Sequence, residues 1–187
     1  ERCALQVFKH QFENNKVYRS FCDLLYIHPS DVKEVAQIPF LPIQFFKTHL
    51  VLSTNQSVQE TFTSSGTTGA LVSKHLVTDT SWYEASYTKA FEHFYGPIKD
   101  YTVLGLLPNY LEREGSSLIY MVNDFIQKSN NPKSGFYLDN LSELSKTLIA
   151  LDQQGEKVLL IGVTFALLAL IERQSFTLKN TVIMETG

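Results

Sequence analysis

Hydrophobic positions change their period along this chain. Over the first third, Phe8 and Phe12, then Val17, Phe21, Leu24 and Leu25, recur at the spacing of one helical face. His28-Pro29 predicts the end of that stretch, because proline disfavours helix in the residue before it. Ser30 or Asp31 then stands where a short helix through Ala36 would be capped, with Pro39 and Pro42 to stop it. From Ser57 onward, strand-like and helix-like blocks alternate. Val58 to Thr63 and Lys74 to Val77 read as strands. A helix capped by Asp79 or Ser81 runs to Gly96-Pro97, and Ser81 with Glu84 has the spacing of a capping box.

The remaining blocks repeat one unit. Tyr101 to Leu107 reads as a buried strand, Ser116 to Lys128 as a helix ended by Ser129-Asn130-Asn131-Pro132, and Gly135 to Leu138 as a short strand. A helix from about Ser142 to Gln153 follows, with Gly155 past its end. Val158 to Gly162 and Leu178 to Met184 read as strands on either side of a helix from Thr164 to Arg173. Three strand–helix units in succession predict an α/β fold: a mostly parallel sheet flanked by helices on both faces, preceded by an N-terminal helical segment. No internal repeat, low-complexity tract or linker-like composition marks a second domain. The expectation is a single domain over 1–187, with 1–56 as a helical and extended lead-in.

Composition narrows the class. With 187 residues, 44% hydrophobic and 19% charged, the chain is long enough for one sizeable core and short for two. A net charge of −3 and a pI near 6.0 offer no electrostatic ground for nucleic-acid binding. Two cysteines, Cys3 and Cys22, make no disulfide framework and point to a reducing, cytoplasmic setting. Cys22 lies in an apolar helical stretch and reads as a small buried hydrophobe. The longest apolar run, Val158 to Ile171, has 14 residues, short of the roughly 20 that a membrane-spanning helix requires.

The chemistry concentrates in residues 63–69, Thr-Ser-Ser-Gly-Thr-Thr-Gly: five hydroxyls and two glycines between two candidate strands. Glycine permits positive φ and close backbone approach to a ligand. Successive N–H groups can then form an anion-binding concavity, with hydroxyls as added donors. A polar hairpin turn uses the same residue types and is the commoner outcome. The spacing excludes the GxxxxGK[ST] phosphate loop and does not make GxGxxG. From the residues alone, both readings stand.

Ser64-Ser65-Gly66-Thr67-Thr68-Gly69 resembles the phosphate loop of the adenylate-forming superfamily. Ile38-Pro39-Phe40-Leu41-Pro42-Ile43 with Phe45-Phe46-Lys47, Leu107 to Arg113 with Gly115-Ser116-Ser117-Leu118, and Met184-Glu185-Thr186-Gly187 are similar to segments of its LuxE-type acyl-protein synthetase branch. The resemblance runs from about residue 35 to the end. It implies a partial N-terminal domain of an enzyme that uses ATP and Mg2+ to turn a carboxylic, fatty, acid into an acyl-adenylate. A thiol acceptor or an acyl-reductase would be its partner. It implies phosphate-binding roles for Ser64, Ser65, Gly66, Thr67, Thr68 and Gly69, and an adenine-side role for Glu185, Thr186 and Gly187. Tyr110, Phe165 and Leu168 are candidates for an acyl pocket, with core packing as the alternative.

Two departures qualify the resemblance. Where the superfamily commonly has Pro-Lys after the loop, this chain has Leu71 and Val72; Lys74 is the substitute cation or a solvated strand residue. The superfamily's later Tyr-Gly-x-Thr-Glu motif, its C-terminal lysine domain and LuxE's late cysteine have no counterpart here, so the expectation is an N-terminal part with little turnover alone. The alternative is a non-catalytic nucleotide- or acyl-carrier-binding module that keeps the fold and the loop. His75 has no Cys, His or carboxylate at metal-ligand spacing and reads as a sheet or surface histidine; no metal ligands are assigned. Glu112 and Glu114 with Arg113 read as a solvated helix start. Gly115-Ser116-Ser117 is a weaker candidate for an anion site.

Overall fold

Asn15 divides the N-terminal helical stretch in two in the computed structural model of this chain, which describes residues 1–64, 71–108, 114–138 and 140–186. Helix α1 spans Arg2–Asn14 and α2 spans Lys16–Leu24. Between them Asn15 is extended (φ −102°, ψ 104°), and its side-chain oxygen accepts from the Tyr18 backbone N–H at 3.1 Å, capping α2. This break resets the helical phase. Tyr18 and Cys22 turn inward beside Phe8, Phe12 and Val32, while Leu24 and Leu25 of the expected apolar face are exposed. Cys22 is fully buried, and that burial pushes its thiol pKa up.

The short helix expected from Ser30 or Asp31 does not form. His28, Ser30 and Asp31 instead bond among themselves, with Ser30 Oγ 2.9 Å from His28 Nδ1 and donating to Asp31 at 3.1 Å. Such local side-chain bonds compete with helix. Only a 3₁₀ turn, Val35–Gln37, follows, its Gln37 side chain accepting from the Lys33 and Glu34 N–H groups. A single-turn helix that the periodicity did not reveal, α3, covers Phe45–Thr48. Strands β1 (Glu60–Thr63) and β2 (Lys74–Val77) pair antiparallel, with Thr63 opposite Lys74.

The chain divides into two units, Glu1–Thr80 and Ser81–Gly187. The second takes in all of helix α4 (Thr80–Tyr95) but its first residue and carries β3 (Tyr101–Leu106), α5 (Ser117–Ser129), β4 (Gly135–Tyr137), α6 (Leu141–Gln153), β5 (Lys157–Val163), α7 (Thr164–Arg173) and β6 (Thr181–Thr186). Its four strands form one parallel sheet in the order β4-β3-β5-β6. All six residues of β3 are buried, as are Val158 to Val163 of β5. Neighbouring side chains in a strand point to opposite faces, so both faces are covered. This is the parallel α/β architecture the alternating blocks predict, with a separate antiparallel pair in the first unit.

Strand order decides where a ligand crevice lies. From β3 the chain moves outward to β4, then returns past β3 to β5 and on to β6. With right-handed crossovers, α5 lies on one face and α6 and α7 on the other. The order therefore reverses between β3 and β5, whose paired carboxyl ends are Leu106 and Gly162. Ligands of open α/β sheets bind outside the strands at such a point.

Two contacts hold this sheet end and its opposite margin. A side-chain carbon on Gly162 would lie 2.8 Å from Leu167 of α7 and 3.3 Å from the Leu106 carbonyl. The absent side chain thus lets α7 sit down on the end of β5. At the other end Asp152, in the last turn of α6, accepts from the N–H groups of Lys179 (2.9 Å) and Asn180 (2.7 Å), anchoring the approach to β6. The Asn180 N–H bond, with that of Lys179, holds the Asp152 carboxyl below its ordinary value of 3.8.

Gly162→Ala is expected to destabilise the protein by about 1–3 kcal/mol through overpacking. The loss should shrink when Leu167 is also changed to Ala, which a urea-unfolding double-mutant cycle measures. Asp152 has a folded pKa lower than its unfolded one. Its contribution is therefore fully present above the ordinary carboxylate range and lost as pH falls below 3.8 through the folded value. Asp152→Asn should lower Tm at pH 7 and flatten the dependence of Tm on pH below 4, read by thermal scans of both proteins across roughly pH 2–7.

Candidate functional site

The hydroxyl-rich segment closes the β1–β2 hairpin. Beyond the Thr63–Lys74 pair, the Ser64 N–H donates to the Ser73 carbonyl, and the Ser73 N–H donates to Ser64 Oγ, both at 3.0 Å. Ser64 therefore sits at the neck of the connection, joined to the opposite arm by main chain and side chain. Ser65, Gly66, Thr67, Thr68 and Gly69 lie outside the described residues. Lys74 is exposed on β2, next to this neck. The segment follows a strand, as the sequence predicts, but that strand belongs to the antiparallel pair and not to the parallel sheet.

The parallel sheet gathers a second set. Beyond β3 comes Pro108, beyond β5 Thr164, and β6 ends in Glu185 and Thr186, opposite Gly162 and Val163. The Thr164 hydroxyl donates to the Glu185 carboxylate, tying the start of α7 to the end of β6. Phe165, the next residue, is 57% exposed. Tyr110 and Gly187 lie outside the described residues, as do 109–113 as a whole. Of the sequence-predicted residues, Glu185 and Thr186 end β6 at this sheet end, and Glu185 is bonded to Thr164, the neighbour of Phe165 in the chain.

Local structure gives some candidates structural work. Gly115 has φ +76°, and Ser116 caps α5 by accepting from the Ile119 N–H at 3.3 Å. The Ser117 carbonyl accepts from the Tyr83 hydroxyl at 3.1 Å. His75 is exposed on β2, opposite Phe62. Among the described residues, no three His, Cys, Asp or Glu side chains gather as metal ligands, and no helix is long and apolar enough to cross a membrane.

Two cavities accompany these features. In the second unit a space of about 450 Å³ between α7 and β6 is lined by Leu168, Ile171, Phe176 and Ile183, with Thr164 and Glu185. Leu168 shares this space; Phe165 is not among its lining residues. In the first unit a larger cavity of about 720 Å³ is lined by α1, the segment through Ile38 to Leu41, and residues 51–54. No pocket was expected there from the sequence. The signal was present as Ala4, Val7, Phe8 and Gln11, spaced i, i+3, i+4 and i+7. Such a stripe also describes ordinary core packing, which is why the sequence did not single it out.

Comparison with known proteins bears on the first unit. Residues 1–86 match the family described as acyl-protein synthetase, LuxE. The long-chain-fatty-acid–luciferin-component ligase of Photorhabdus luminescens is 31% identical over 70 residues, which are 37% of this chain and 60% of that protein. The chain thus spans about 60% of the length of the curated relative it matches. No solved structure matches it. The matched residues contain Ile38 to Lys47, the Ser64-to-Gly69 loop and Lys74, whereas the segments at Leu107 and Met184 lie beyond them. The similarity to the acyl-protein synthetase, LuxE, family thus lies in this first stretch, residues 1–86.

Proposed function

We propose that this chain takes part in ATP-dependent activation of a fatty acid. The observation that carries the proposal is the LuxE match over residues 1–86, which takes in the whole hydroxyl-rich hairpin connection. In the reaction, a carboxylate oxygen of the acid attacks the α-phosphorus of ATP and pyrophosphate leaves. The resulting acyl-adenylate then transfers its acyl group to a thiol, releasing AMP. Negative charge on the phosphates sets the barrier, so donors held in place before reaction are what a protein contributes.

Ser64, Ser65, Gly66, Thr67, Thr68 and Gly69 would supply those donors to the β- and γ-phosphates. The backbone N–H groups of the glycines and the threonine hydroxyls are the groups suited to it. The neck bonds between Ser64 and Ser73 support this role by holding the two arms of the connection at fixed spacing. Lys74, exposed on the strand beside the neck, is the cation assigned to the same phosphates in place of the superfamily's Pro-Lys lysine. Mg2+ commonly takes one or two carboxylates together with substrate phosphates. A site of that type does not require a three-ligand protein cluster, and Mg2+ would neutralise phosphate charge there.

A second reading, a non-catalytic module that binds nucleotide or an acyl carrier, is favoured by Leu71 and Val72 standing where the superfamily commonly has Pro-Lys. Pyrophosphate exchange separates the two. With the full gene product, ATP, Mg2+ and a panel of fatty acids, exchange should depend on the acid. It should fall at least about a hundredfold in Gly66→Val and in the Thr67→Ala/Thr68→Ala double variant, the scale seen when an oxyanion-type donor is lost. Lys74→Ala should raise the KM for ATP. No acid-dependent exchange from a folded protein would leave the binding-module reading.

A further inference from the structure

The large cavity of the first unit has mostly apolar walls. Val7 and Phe8 of α1 face Ile38, Leu41, Val51 and Leu52 across about 720 Å³, within the range of small-molecule sites. The described lining residues include no Lys, Arg, Asp or Glu, and His75 among them is exposed to solvent. Gln11, Asn15, Tyr18 and Ser53, polar side chains in the wall, tie it together. Ser53 Oγ donates to Gln11 Oε1 at 2.7 Å, joining the segment after α3 to α1. The Tyr18 hydroxyl donates to the Pro39 carbonyl at 2.6 Å, joining α2 to the segment on the other side. Asn15 holds α1 against α2 through its cap.

An uncharged wall of this kind discriminates between ligands. A phosphate or a carboxylate would lose its water without gaining a cation, which is costly. A methylene chain gains from the same transfer, by about 0.8 kcal/mol for each CH2. Each lining residue falls between Ala4 and Thr78, inside the 1–86 match, and the Photorhabdus relative in that family is named for a long-chain fatty acid. We propose that this cavity binds the unbranched hydrocarbon chain of an acyl group, leaving the head group in water at its mouth. The site rests on the geometry; the acyl identity of its ligand rests on the function proposed above. It lies apart in the chain from Phe165 and Tyr110, and it requires no nucleotide.

Calorimetric titration of the full chain without nucleotide tests this, using octanoate, decanoate, dodecanoate and 1-dodecanol below their aggregation limits. Affinity should rise roughly fourfold for each added methylene. The neutral 1-dodecanol should bind within about threefold of dodecanoate, because no wall cation selects for the carboxylate. Val7 is 56% exposed, so Val7→Asp should keep the far-ultraviolet spectrum and Tm while weakening dodecanoate at least about tenfold. Val7→Leu should bind it as the parent does. Equal affinity for octanoate and dodecanoate, or strong preference for the carboxylate over the alcohol, would overturn the proposal. So would an unchanged affinity in a folded Val7→Asp, or sedimentation showing a dimer that this substitution dissociates. Chain-length dependence with no pyrophosphate exchange would remove the activation reading alone. Exchange without chain-length-dependent binding would remove only this site.

Discussion

The pairing of β3 with β5 is the constraint on which the second unit depends. Both strands are buried on both faces beyond Lys157, so each is mainly apolar, with the buried Thr102 hydrogen-bonded to Glu156 and Asn131, and each must be covered on either side. Coverage at that density leaves little room at the strand ends. Gly162 meets the limit by having no side chain where Leu167 and the Leu106 carbonyl approach. Gly105 does the same deeper in β3, where a side-chain carbon would come within 2.9 Å of Phe136. The strand order reverses between β3 and β5, where ligands of open α/β sheets bind, and the Thr164–Glu185 bond ties α7 to β6 at the same end.

The first unit is organised around a different need. Its core of Phe8, Phe12, Tyr18, Cys22 and Val32 is small, and much of its chain lies outside regular structure. Hydrogen bonds between side chain and distant backbone or side chain, Tyr18 to Pro39 and Gln11 to Ser53, take over part of the work of packing. They brace irregular segments against α1 and α2 without closing the space between them. An apolar space with braced, uncharged walls is suited to a hydrocarbon guest. The family match covers this unit in full, so the part of the chain with least regular structure is the part that matches the family.

Much of the second unit was legible because its periodicity is local. The helix from Thr164 to Arg173 appears over those same residues, and the strands at Tyr101, Gly135 and Lys157 lie within a residue or two of expectation. The first unit was less legible. Helical spacing in Val17, Leu24 and Leu25 implied one long amphipathic face, but Asn15 interrupts the helix and moves Tyr18 and Cys22 to the inside. The Ser30–Asp31 helix failed because short polar side chains satisfied one another first. The loop at Ser64 joins an antiparallel pair, as the hairpin reading of its residues expected, and it lies in the stretch that matches the LuxE family.

The sequence by itself determined the alternation of strands and helices, the parallel α/β class, the uncharged and hydroxyl-rich loop, and the family to which its motifs point. These follow from residue types at short separations, where backbone propensity and side-chain period act directly. Tertiary structure alone decided that β1 and β2 form their own antiparallel pair and that the sheet runs β4-β3-β5-β6. It also decided that residues from Ala4 to Thr78 enclose a cavity. Strand partners and cavity walls come from far apart in the chain, and their choice depends on which apolar surfaces bury one another. No local pattern encodes that choice.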